Sequence, residues 1–173
     1  RTALTPDSTG VKRYVPSNLT ESSMLGKAQW SWLESELRNS KADFNVIMSS
    51  IQVLSDQHGF ETWGNIPLER NKLLQVIHDS GAKGVILLSG DRHISEFSAY
   101  SEPNWAYPIV DFTSSGLTHA YSGFTEESNP FRLGEVVPKI SFGVIQFDFS
   151  QHRANFQIVG DTGEVLGDLM QVY

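Results

Sequence analysis

Gly84-Val-Ile-Leu-Leu-Ser-Gly-Asp91-Arg92-His93 is the stretch on which the reading of the chain turns. Its apolar beginning has the pattern of a strand buried on both faces, and it stops abruptly in side chains able to bind cations and grip anions. Upstream, Pro67 and Gly81 bracket a segment whose apolar face comes from Leu73, Leu74, Val76 and Ile77, with Pro just inside the start of a helix and Gly just past its end. Before it, Phe44-Asn-Val-Ile-Met48 reads as a short buried strand that gives way to Ser49-Ser-Ile-Gln52. Strand, helix and strand form a βαβ unit. A right-handed crossover makes the two strands parallel and brings Ser49 to Gln52 and Gly90 to His93 to one edge of a sheet, the edge at which open α/β sheets bind ligands. A third strand, Pro108-Ile-Val-Asp-Phe112, ends in Thr113-Ser-Ser-Gly-Leu-Thr-His119 and adds a third wall.

Outward from this unit, Leu25, Ala28, Trp32, Leu33 and Leu37 recur at helical spacing and predict an amphipathic helix from Ser22 or Ser23 to Asn39. Residues 1–22, rich in Thr, Ser, Pro and Gly, read as an irregular arm. The aromatic stretch Gln57 to Pro67 reads as an ordered loop, with Asn65 placed to cap the helix after it. Beyond a loop holding Glu126 and Glu127, Ser141–Phe149, Ala154–Val159 and a last short strand after Asp161-Thr-Gly163 form an antiparallel meander. The organisation is thus an arm (1–22), an α/β part carrying the site loops (23–119) and a β-meander (120–173).

Composition narrows the function. The chain has 173 residues, 39% hydrophobic, with 13 Lys+Arg against 20 Asp+Glu for a net charge of -7, which argues against wrapping a nucleic-acid backbone. Absence of Cys removes thiolate nucleophiles and thiolate metal sites, so any metal must take oxygen and nitrogen ligands. No apolar run approaches the roughly 20 residues needed to cross a bilayer.

Asp91 and His93 are candidate ligands for a divalent or ferric ion, and Arg92 a fork for a phosphoryl oxygen. Loop capping by Asp91 and an ordinary polar His93 explain the same residues equally well from spacing alone. His119 could contact substrate or orient a ligand. Glu96 could brace Arg92 or His93, and Asp111 could belong to a buried network. Glu69 and Arg70 read most simply as an exposed capping and charge pair, although the adjoining Trp63-Gly-Asn loop could bring Arg70 towards the sheet edge, and His78 reads as a response to a helix dipole. Gly-x-Ser-x-Gly, Walker and His-Glu-x-x-His patterns are absent.

Five blocks in order carry a family resemblance: Met24-Leu-Gly-x-x-Gln-Trp30-x-Trp-Leu, Ser49-Ser-Ile-Gln-Val, Glu61-Thr-Trp-Gly-Asn-x-Pro-x-Glu-Arg70, Leu88-Ser-Gly-Asp-Arg-His93-x-x-Glu96, and Thr113-Ser-Ser-Gly-Leu-Thr-His119. Over residues 22–159 the chain resembles PhoD-like alkaline phosphatases of the calcineurin-like metallophosphoesterase superfamily. The resemblance implies an α/β/β/α sandwich with a mixed sheet, of which this chain would be the C-terminal half. It implies Asp91 and His93 as metal ligands, Arg92 and His93 as catalytic, Arg92, Gln52 and His119 as substrate-binding, and Glu96 and Ser50 as supports behind them. Two metal ions are implied, iron and calcium by the closer likeness and manganese or zinc by the wider superfamily, as are a phosphate-ester substrate, an N-terminal half on a separate or missing segment, and a periplasmic or extracellular location.

Three functions compete at this point. One is a metal-dependent phosphomonoesterase or phosphodiesterase, completed by the upstream half. A second is a non-catalytic binding module using the aromatic loops at Trp63 and Trp105, or an inert fragment of such an enzyme. A third is a hydrolase built on Ser115, His119 and Asp91.

Overall fold

The computed structural model describes residues 1–17 and 19–173. The expected irregular arm contains two-residue strands β1 (Thr5–Pro6) and β2 (Tyr14–Val15), paired antiparallel; its Asn18 lies outside the described residues. The arm is held from outside: the Arg13 and Tyr14 amides donate to Gly59 O, the Ser17 amide to Asn65 O and the Lys12 ammonium to Gln57 O.

Helix α1 spans Lys27–Asn39, starting later than its periodicity predicts. The cause is a long-range acceptor. Glu69 Oε2 takes hydrogen bonds from the Met24 amide (2.8 Å), the Leu25 amide (3.1 Å), Trp30 Nε1 (2.9 Å) and Ser23 Oγ (3.2 Å), so these donors are satisfied without a helical turn. Strand β3 (Asn45–Met48) leads through a 3₁₀ turn at Trp63–Asn65 to helix α2 (Pro67–Ser80), which has Pro at its start and left-handed Gly81 (φ 65°) after its end, as expected. Asn65 does not cap α2; it closes a capping box with Thr62 around the 3₁₀ turn. Nor is the Glu69–Arg70 pair exposed: Arg70 is buried and donates to Val53 O and Leu54 O.

The remaining strands are β4 (Val85–Ser89), β5 (Ser95–Tyr100), β6 (Ile109–Ser114), β7 (Arg132–Val137), β8 (Ser141–Asp148), β9 (Arg153–Gly160) and β10 (Val165–Val172). They form a mixed sheet in the order β3-β4-β6-β5-β7 and a three-stranded antiparallel sheet β10-β9-β8. β3, β4 and β6 run parallel, so the three predicted walls share one edge. β7 pairs with β5, so Arg132–Val137 belongs to the mixed sheet and not, as predicted, to the meander. Trp30, Leu33, Leu37, Leu73 and Ile77 pack on one face of the mixed sheet, and Phe156 and Ile158 of the meander meet Ile86, Val110 and Phe112 on the other. The described residues therefore supply a helix layer and two sheets of the expected mixed α/β sandwich.

β3 departs from the buried strand predicted for it. It is an edge strand: Ile47 joins the helix-side core, while Val46 and Met48, on the opposite face, are 44% and 82% exposed.

The loops at the parallel edge are tied together from below by Asp111 in β6. Its Oδ2 accepts the Val53 and Leu54 amides (2.8 and 2.9 Å), and its Oδ1 accepts Ser89 Oγ (2.7 Å). One carboxylate thus joins the loop after β3 to the end of β4. Burial pushes its pKa up, against the Leu54, Ser89 and Val53 donors.

Two stability predictions arise. Asp111→Ala strands two buried amides and is expected to cost about 2–5 kcal/mol, whereas Asp111→Asn, which keeps an acceptor for both, costs about 1 kcal/mol, read by urea unfolding. Glu69→Ala is expected to cost about 1–3 kcal/mol at pH 7. Burial raises the Glu69 pKa, but the bonds from Trp30, Leu25, Met24 and Ser23 prevail and hold it below the ordinary glutamate value. Its contribution is therefore present above that ordinary value and lost as pH falls through the lowered one, so wild type and variant converge in acid.

Candidate functional site

Gly90 lies where the three walls meet: an ideal Cβ built on it would stand 3.6 Å from Ser50 O and 3.8 Å from Ser115 Oγ. After it the chain makes an unusual turn. Asp91 (φ 73°) and His93 (φ 55°) are both left-handed, a region costing a residue with a side chain roughly 1–2 kcal/mol. Their side chains are exposed, and Arg92 between them is 7% exposed. The backbone is pinned on both sides of the turn's end: the His93 amide donates to Ser115 Oγ (3.2 Å), and His93 O accepts the Tyr121 amide (2.7 Å). The His93 and His119 rings meet edge-to-face with centroids 4.9 Å apart.

Arg92 faces inward. Its Nη2 donates to both Glu127 carboxylate oxygens at 2.5 and 2.6 Å, and its guanidinium lies over the Phe60 ring, 4.2 Å from the centroid. It is thus carried away from the edge that Asp91 and His93 face.

Gln52 is likewise internal. It is 1% exposed, and its Nε2 donates to Glu96 Oε1 (2.6 Å) and Thr113 Oγ1 (2.9 Å), while its Oε1 is buried without a partner. Glu96 braces neither Arg92 nor His93; it binds Gln52, Asn129 Nδ2 and Arg132 Nε, the last at 2.6 Å. Ser50 and His119 are exposed at the edge. Ser49 Oγ donates to Ile51 O and accepts Trp63 Nε1. Burial, with Arg92, Lys12 and Arg132 nearby, holds His58 neutral with a pKa lowered to about 3.

Beside this edge an open groove runs between α1 and β3, lined by Trp32, Met48, Ser50, Trp63 and Asp91 among others. Asp91 therefore lines the groove, while His93 stands with His119. Among the described residues, no three His, Asp or Glu side chains are grouped to hold a metal ion. Asp91 and His93 have the right chemistry and exposure for such an ion as two members of a larger oxygen and nitrogen set.

The other expected sites fare differently. Ser115 Oγ serves the His93 backbone, and among the described residues no hydrogen bond joins it to His119, so the hydrolase triad is not assembled. Trp63 is a core residue, packed edge-to-face on Trp30, and not a free surface loop. Glu127 and Arg132, which secure the site loops, were missed by the sequence reading because nothing near them in the chain marks their partners.

The PhoD-like phosphatase family model matches residues 6–162. Alkaline phosphatase D of Bacillus subtilis (strain 168) is 28% identical over 134 residues, which is 69% of this chain and 22% of that protein. A solved structure of PhoD superposes with a TM-score of 0.63 at 19% identity, over 88% of this chain and 33% of its own, a likeness of fold. The chain spans about a fifth of that curated relative's length and a third of the solved structure. On a family match running over residues 6–162, the chain belongs to the PhoD-like phosphatase family.

Proposed function

We propose that this chain carries the late ligand loop of a metal-dependent phosphoric ester hydrolase, with Asp91 and His93 each donating to one of two metal ions. The observation that carries the reading is the turn itself: two residues with metal-binding side chains, held in a backbone conformation they disfavour, both facing the ligand edge of a sheet. Family membership supports the phosphoesterase chemistry. The missing ligands come, in this reading, from an upstream segment that adds to the open β3 edge and covers Val46 and Met48 beside the groove. Iron and calcium are the favoured ions, with manganese or zinc the alternatives.

Bound metal ions would polarise the phosphoryl oxygens and activate the attacking water. The chain's own residues then divide the work. His119, against the His93 ring, restricts that ring's orientation and offers a polar group at the exposed edge for the ester. Arg92 and Gln52, both turned inward, hold the loops and do not touch substrate. The substrate in this reading is a phosphomonoester or a phosphodiester.

The test is hydrolysis of p-nitrophenyl phosphate and bis(p-nitrophenyl) phosphate by the complete protein. A strong chelator is expected to abolish turnover, and His93→Ala to lower it on the order of 100-fold or more, since even residues behind a ligand cost 10–100-fold. Unchanged turnover with chelator would remove metal from the chemistry, and unchanged turnover in His93→Ala would remove His93 from it. Met48→Asp is expected to leave the stability of this chain within about 0.5 kcal/mol, because the residue is 82% exposed, yet to impair completion of the site; full turnover in that variant would show that the β3 edge is not the docking face.

A further inference from the structure

We infer that Glu127 is a positioning residue for the Asp91–His93 turn: through Arg92 it holds both exposed side chains at the edge. This rests on the reading of Asp91 and His93 as metal ligands. The segment from Tyr121 to Arg132 forms a strap across the loop after β4. Its first residue donates its amide to His93 O, Ser128 Oγ donates to Gln57 Oε1 (2.8 Å), and Asn129 Nδ2 donates to Ser98 Oγ (2.9 Å). Arg132 donates Nε to Glu96 and Nη1 to Glu127 O (2.9 Å), fixing the strap where Glu127 projects.

Glu127 and Arg92 side chains are 16% and 7% exposed, and among the described residues Glu127 is the one ion-pair partner of Arg92. Phe60 covers the guanidinium and Arg92 Nε is buried without a partner, so no second acceptor compensates that charge. Removing the Glu127 charge leaves an uncompensated buried cation. Arg92 then relaxes toward solvent, and the left-handed residues on either side of it lose the contact that over-determines them. A contrasting role is that the Glu127 carboxylate occupies a place on Arg92 that phosphate would take; it has the opposite sign in phosphate affinity.

The experiment compares wild type, Glu127→Gln, Glu127→Asp and a control at the exposed Arg153–Asp148 pair, Arg153→Gln, in the complete protein. Mn²⁺ and inorganic phosphate affinities are measured by calorimetry, and exchange of the His93 and Tyr121 amides by NMR. The expected result is Mn²⁺ affinity about tenfold weaker and faster amide exchange in Glu127→Gln, partial rescue in Glu127→Asp, and no change in the control. Unchanged Mn²⁺ affinity and exchange with a lower Tm would overturn the inference, leaving Glu127 a structural residue. Tighter phosphate binding in Glu127→Gln would overturn it in favour of the occupying role. Should wild type bind none of Mn²⁺, Ca²⁺, Zn²⁺ or iron, the functional reading fails instead, and the amide exchange alone decides: faster exchange in Glu127→Gln upholds the clamp, equal exchange overturns it.

Discussion

Asp111 sits in the middle of the mixed sheet, out of reach of water, with three donors converging on its two oxygens. A buried carboxylate so placed is tolerated because the two loop amides would otherwise be unpaired. Two of them are consecutive amides of the loop that follows β3 and the third is the last side chain of β4, so the carboxylate fixes how two site loops stand relative to the strand that bears the third. Arg70, donating from α2 to the carbonyls of the same two loop residues, fastens the other side of that backbone. The floor of the site is thus a polar lattice enclosed by apolar layers, and its geometry is set by acceptor positions more than by packing.

Above that floor the turn after β4 is held against its own preference. Left-handed Asp91 and His93 flank an Arg whose buried ion pair and aromatic cover lie on the opposite side. This divides the Asp-Arg-His sequence into two faces: outer residues available for ligand chemistry, and an inner residue committed to the fold. A chain with net charge -7 places Lys12, Arg92 and Arg132 around His58, which burial and those cations keep neutral. The inner face is accordingly a locally cationic region balanced by Glu96 and Glu127.

Much of this architecture was legible in the sequence because local signals agreed with the fold. Pro67, Gly81 and the apolar run from Val85 to Leu88 identified the βαβ unit, and parallel pairing then followed from handedness. Local reasoning failed where distant partners decide. α1 begins late because a carboxylate in another helix satisfies Met24 and Leu25. β5 escaped notice because Ser95, Glu96 and Ser98, all buried, break the apolar pattern of an interior strand. β7 was hidden for a related reason, with Gly134 and Glu135 exposed in its middle. Asp91 and His93 stood out as candidates from residue chemistry and spacing, but the inward direction of Arg92 depends on two positive φ angles that no spacing rule reveals. The sequence also gave no hint that Glu127, in an unpatterned loop, would be its partner.

In the proposed function, Asp91 and His93 are presented to metal. The most direct measurement is metal stoichiometry by elemental analysis of the complete, natively purified protein, alongside the doubly substituted Asp91→Ala, His93→Ala protein, after loosely held ions are removed. About two tightly held ions per chain are expected, consistent with a two-metal site, with a clear loss of metal from the substituted protein. Metal-free wild type, or full retention of metal after both substitutions, would contradict it.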